Sequence, residues 1–203
     1  MTSLNLEPLN LIITGVGGQG NVLISQVLAR ALVGQGLKTT VGETFGLSQR
    51  GGSVQSHVRV SRNKIFGPLI PEGQAHAVLG LEPLETLRVM ASYGQPDIQV
   101  LVNARPVQPL NVIAGQDRYP ADEALLDALR GLAAKVWWLN ATAEAQGLGA
   151  AIMANIVMLG ALTATGIMPV EAKDLEEALA EVLADDRLEQ NLAAFRRGLE
   201  LID

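Results

Sequence analysis

Glycines at Gly15, Gly17 and Gly20, with Gly18 and Gln19 between the last two, follow the apolar run Leu11-Ile12-Ile13-Thr14. From Asn21 onward, apolar residues resume at helical spacing. This is a strand turning sharply into a helix, and the spacing is G-x-G-x-x-G. The glycines permit a tight turn and close approach of a ligand, and the free amides of the helix that follows favour an anion. The same turn would also serve close packing against a neighbouring element, with no ligand. A second stretch, Thr44 to Ser53, sets one arginine among glycines as Gln49-Arg50-Gly51-Gly52. A guanidinium so placed is free to fork onto a carboxylate or phosphate, or to pair with a partner protein.

Other residues offer weaker chemistry. Glu43 lies near where a dinucleotide fold carries its ribose-binding acid, and a solvated or capping acid is the alternative. His57 alternates with Gln55, Arg59 and Ser61 on the polar face of a strand, the setting of a surface or interface residue or of a general acid or base. Glu82, at a strand's carboxyl end before Pro83, is either a ligand contact or an acid favoured by a helix start. Asn155 interrupts an uncharged helix and either caps a turn inside the fold or faces a site. The chain has no cysteine and only two histidines, which excludes disulfides, thiolate-ligated clusters and catalytic thiols and disfavours a zinc site. No catalytic residue and no metal ligand is assigned to this chain.

The elements that must position these groups alternate between strand and helix. Strands are expected at 11–14, 38–41, 53–61, 75–80, 97–103 and 135–140, the last carrying Trp137 and Trp138. The first two, with the helix from Gln19 to Val33, make a strand–helix–strand unit with parallel strands. The strand from Ser53 is expected to turn at Arg62-Asn63-Lys64 and pair with Ile65–Ile70 as an inserted β-hairpin. Residues 104–120, rich in proline, carry no chemical signature. Helices follow at 122–130, 150–165, 174–184 and 188–201. The fold class is therefore α/β, a Rossmann-like doubly wound, mostly parallel sheet with an inserted hairpin and C-terminal helices from about 166 to 203.

A net charge of −6 and a pI near 5.0, with no Lys/Arg cluster, argue against a nucleic-acid surface. No apolar run reaches the roughly 18 residues of a membrane span and the N-terminus lacks a signal pattern, so a cytoplasmic location is expected.

Three stretches taken together carry a resemblance: Gly15–Gly20, Gln49-Arg50-Gly51-Gly52-Ser53 through Val60, and Asn155-Ile156-Val157-Met158-Leu159-Gly160-Ala161-Leu162. They resemble the gamma-type domain of the 2-oxoacid:ferredoxin oxidoreductases, most nearly the beta subunit of the indolepyruvate enzymes. The resemblance implies one gamma-type domain over residues 1–203. It also implies a complex that converts an arylpyruvate, coenzyme A and oxidised ferredoxin to an acyl-CoA, carbon dioxide and reduced ferredoxin. Thiamine diphosphate, Mg2+ and iron–sulfur clusters would then sit in a large alpha subunit, with none carried by this chain, which alone would be inactive. Gly15, Gly17, Gly18, Gln19, Gly20, Arg50, Gly51 and Gly52 would border the shared cleft, with coenzyme A as a possible shared ligand. Two other readings stay open: an independent NAD- or FAD-binding Rossmann oxidoreductase, and a non-catalytic assembly module.

Overall fold

The computed structural model describes residue 4, residues 6–46 and residues 52–202. The chain runs β1 (Leu9–Val16), α1 (Asn21–Gly34), β2 (Lys38–Phe45), β3 (Ser53–Ser61), β4 (Ala77–Gly80), α2 (Pro83–Tyr93), β5 (Gln99–Asn103), α3 (Leu110–Ile113), α4 (Asp122–Leu132), β6 (Lys135–Leu139) and α5 (Ala141–Gly147). A 3-10 turn, Ala151–Met153, then leads into α6 (Ala154–Ala164), α7 (Ala172–Val182) and α8 (Asp185–Leu199). The six strands form one sheet in the order β2-β3-β1-β4-β5-β6. β1, β4, β5 and β6 are parallel neighbours, and β3 runs antiparallel to both β1 and β2.

Helices cover both faces, as an apolar sheet requires. On one side Leu11 and Ile13 of β1 meet Ile24 and Leu28 of α1, Ile156 and Leu159 of α6, Leu175 of α7 and Phe195 of α8. On the other, Ile12, Val78, Val100 and Val102 meet Val89 and Met90 of α2 and Leu129 of α4. The chain therefore leaves β1 toward one face and β4 toward the opposite face. Between these parallel neighbours, at their carboxyl ends, the winding reverses, and this is where open α/β sheets form a ligand crevice. Among the described residues no helix is long and apolar enough to cross a membrane.

Two local expectations change. β1 and β2 do run in the same direction, but β3 lies between them. The hairpin partner of β3 is β2, not residues 65–70, which form no strand. Both edges of β3 are taken by β1 and β2, so nothing remains for a third strand to pair with. Residues 65–70 instead cross the sheet face. Arg59 Nη1 donates to the carbonyls of Gly67 and Leu69 at 3.0 and 3.1 Å, and Pro68 lies against Gly42, where an added Cβ would stand 2.8 Å away. That segment also buries His57 completely, contrary to the exposed setting its alternation suggests. Its Nδ1 accepts from Ile70 N at 3.3 Å and its ring meets Tyr93 edge-on at 5.3 Å. Burial, with Arg59 nearby, lowers its pKa.

Candidate functional site at the carboxyl end of the sheet

The glycine turn is held by its one side chain with hydrogen-bonding reach. Gln19 Oε1 accepts from Val16 N at 2.8 Å, and Gln19 Nε2 donates to Leu81 O, just past β4, at 3.0 Å. Asn103, at the end of β5, donates to the same carbonyl at 3.3 Å and to Thr142 Oγ1 of α5 at 3.0 Å. The ends of β1, β4 and β5 are thereby tied into one rigid floor. Gly17 N donates to Gly52 O at 2.9 Å, which brings the second glycine stretch against the first. Arg50 and Gly51, singled out from the sequence, lie outside the described residues.

Gly20 is the N-cap of α1, with φ of 87°, a backbone conformation that glycine adopts without strain. It has no side chain to cap the helix, and the first turn of α1 holds no acid, so the positive end of α1 stays uncompensated. Directly against Gly20 lies Asn155: a Cβ on Gly20 would come within 2.2 Å of Asn155 Nδ2. Asn155 is 7% exposed, and its Oδ1 accepts from Ile156 N at 2.9 Å. Its Nδ2 has no acceptor among the described residues. The three stretches noted in the sequence thus converge on one crevice.

Two cavities open there. The smaller, about 230 Å³, is lined by Gly18, Gln19, Asn103, Thr142 and Asn155, with the exposed Arg105 among its lining residues. The larger, about 560 Å³, is lined by Val16, Gly52, Ser53, Glu82, Glu85, Arg88 and Val107 among others. Glu82 is buried and acts as the cap of α2. Its Oε2 accepts from Glu85 N at 2.8 Å, while its Oε1 accepts from Val107 N at 3.2 Å and from Tyr119 Oη. Burial and this contact push the Tyr119 phenol well above its ordinary pKa. Glu43 is away from the turn: it sits on edge strand β2, one strand removed from β1, within 3.4 Å of Ser25 Oγ of α1. Among the described residues no three His, Cys, Asp or Glu side chains gather as a metal site would need.

Residues 10–201 match the family described as pyruvate ferredoxin/flavodoxin oxidoreductase. The indolepyruvate oxidoreductase subunit IorB of Archaeoglobus fulgidus is 37% identical, over 94% of this chain and 93% of its own. This chain belongs to the pyruvate ferredoxin/flavodoxin oxidoreductase family. Among solved structures, the gamma subunit of a keto/oxoacid ferredoxin oxidoreductase from Geobacter sulfurreducens matches with a TM-score of 0.68, at 24% identity over 95% of this chain and 97% of that one. A 2-oxoglutarate:ferredoxin oxidoreductase from Magnetococcus marinus, solved with 2-oxoglutarate, coenzyme A and succinyl-CoA bound, matches with a TM-score of 0.74 at 19% identity. That match covers 97% of this chain and 31% of the larger one. Both confirm the mostly parallel α/β fold of this oxidoreductase family.

Within the family fold, several residues of the crevice escape sequence reasoning. Arg105, Val107 and Tyr119 fall in the proline-rich segment 104–120, and Thr142 and Glu85 read as ordinary helix-start residues. A pairing such as Tyr119 with Glu82 leaves no local pattern. The one available signal was Glu82 itself, an acid directly before a helix-starting proline.

Proposed function

We propose that this chain is the small, cofactor-free subunit of an indolepyruvate-type 2-oxoacid:ferredoxin oxidoreductase, acting in the cytoplasm on an arylpyruvate with coenzyme A. The whole chain, 1–203, is read as one gamma-type domain. Its crevice borders an active site whose thiamine diphosphate, Mg2+ and iron–sulfur clusters belong to a large partner subunit. With no cysteine, this chain cannot itself hold a thiolate cluster. Its own task is to bind and orient. The Asn155 amide and Arg105 line one small cavity beside the start of α1, and together they would hold an anionic group, a phosphate of coenzyme A or the carboxylate of the oxoacid. Arg50, Gly51 and Gly52 would approach from the β2–β3 hairpin.

The observation that carries this reading is Asn155, a residue only 7% exposed that lines the small cavity and whose Nδ2, set against the uncapped start of α1, has no acceptor among the described residues. A donor on a cavity wall with no protein acceptor is free to bond an oxygen that a ligand brings. Around the crevice, Leu110, Ile113 and Ile152 are 77%, 66% and 76% exposed, an apolar rim where we place the partner.

In the assembled enzyme, Asn155→Leu and Arg50→Ala should each raise the KM for coenzyme A or for the oxoacid by about tenfold, the worth of one hydrogen bond to a charged group. The complex should assemble as before. Unchanged kinetics in both variants, with normal assembly, would remove the crevice from substrate binding.

A further inference from the structure

The amino ends of β1, β4 and β5 enclose a third cavity, at the far end of the sheet from the crevice. It measures about 340 Å³ and its polar lining is His76, Gln95, Asp97 and Gln99. Leu9, Ile167 and Pro169 belong to its apolar lining. With eight residues in β1, this cavity lies about 25 Å from the glycine turn. His76 directly precedes β4 and is fixed there by Asn10: its N–H donates to Asn10 O at 2.9 Å and its Nδ1 accepts from Asn10 N at 3.0 Å. Burial lowers the pKa of this ring, so at neutral pH it carries one proton, and an accepting Nδ1 leaves that proton on Nε2. This N–H has no acceptor among the described residues and is not closed to solvent. Asp97 sits in the turn closed by Ile98 N donating to Gln95 O at 3.1 Å. It is exposed, and no Lys or Arg among the described residues pairs with it. The amide side chains of Gln95 and Gln99 also make no hydrogen bond there and stay open to solvent.

No lysine or arginine lines this cavity, and its one formal charge, on Asp97, is negative, so a bare anion is disfavoured. The lining suits a molecule that brings a cation for Asp97, an acceptor for His76 Nε2 and apolar surface for the aliphatic wall. The volume lies within the roughly 300–1,000 Å³ of small-molecule sites, which combine apolar walls with a few convergent polar groups. We propose that this cavity binds a free α-amino acid with an apolar side chain. Its ammonium group would meet Asp97, its carboxylate would accept from His76 Nε2 and from an amide of Gln95 or Gln99, and its side chain would lie on Leu9, Ile167 and Pro169. The proposal stands apart from the coenzyme A reading, because the occupant reaches neither the glycine turn nor Asn155.

The test is calorimetric titration of the purified full chain with L-phenylalanine, L-leucine and glycine, and with phenethylamine and phenylacetate, which each lack one charged group. L-phenylalanine and L-leucine should bind with a Kd below about 1 mM. Glycine and the two truncated probes should each bind at least about tenfold more weakly, the worth of the contact they lack. Asp97→Asn, at an exposed position, should weaken L-phenylalanine about tenfold without weakening phenylacetate. His76→Leu should weaken L-phenylalanine and leave phenethylamine as it was. Because His76→Leu also removes the acceptor of Asn10 N, its Tm is measured alongside, and Asp97→Asn carries the test if that variant does not fold. No binding of either apolar amino acid at about 10 mM would overturn the site. Phenethylamine binding as tightly as L-phenylalanine would remove His76 from the recognition, phenylacetate doing so would remove Asp97, and glycine doing so would remove the apolar wall. Each of these refutes the proposal, as does an unchanged affinity for L-phenylalanine in Asp97→Asn.

Discussion

Of the glycines that meet a neighbouring element closely, those between α6 and α8 and the one at the start of α1 use the contact differently. Where α6 crosses α8, a Cβ on Gly160 would lie 2.0 Å from Phe195 O, and one on Gly198 would lie 2.0 Å from Val157 O. Both neighbours are backbone and the surrounding side chains, Val157, Ala161 and Phe195, are fully buried and apolar. Nothing there is left over for a ligand. At Gly20 the neighbour is the Asn155 side-chain amide, and the same intimacy leaves a donor unmatched. Close packing around glycine is therefore no indication of function by itself. What separates scaffold from site is whether the atom in contact is already satisfied.

The sharpest way to break the comparison is Gly160→Val. Backbone atoms cannot yield as a side-chain tip can, so α8 would have to move off the core. Stability should fall by more than about 3 kcal/mol, read by thermal unfolding. Gly20→Ala should cost less, about 1–3 kcal/mol for holding alanine at positive φ, and the displaced Asn155 should weaken coenzyme A use in the same variant. If both variants lost stability equally with no separate kinetic effect at Gly20, the distinction would collapse.

The sequence made local features readable and left the long-range ones hidden. The run from Leu11 through the glycines into α1 is recognisable because strand, turn and helix start are neighbours in the chain. Strand order is not local: β3 slips between β1 and β2 because it pairs with both, and no periodicity within Ser53–Ser61 encodes that. For the same reason the polar alternation at His57 misleads. The covering segment comes from residues beyond β3, so a face that reads as exposed is buried. At the crevice, Gly17 and Gly52 stand out in the sequence as glycines of two conspicuous turns, whereas Arg105 and Tyr119 come there only through residues far away in the chain.

Smaller perturbations sharpen the account. Tyr119→Phe removes the hydroxyl that donates to Glu82 and should cost about 1 kcal/mol. Because that contact ties residues 104–119 to α2, hydrogen exchange of the Val107 amide should quicken in the same variant. The pH effect should be the smallest. His57 and His76 both have pKa values lowered from 6.5 by burial, so the unfolded chain binds their protons more readily than the folded one. Their contribution to stability is complete above pH 6.5 and declines as pH falls below it. His57→Gln should flatten that decline in denaturant titrations at a series of pH values.

The antiparallel β3 has one more consequence. A regular parallel sheet would send the chain away from the crevice after β2, through a helix on one face. Here the chain leaves the rim at Phe45 and re-enters at Ser53, with Gly46 N donating to Ser53 O at 2.7 Å. Both ends are clamped by paired strands, so Gly52, whose carbonyl takes the Gly17 amide, is held against the glycine turn by main-chain pairing and not by any side chain of its own. Substitutions at Gly52 or Ser53 that keep the strand pairing should therefore leave that contact in place.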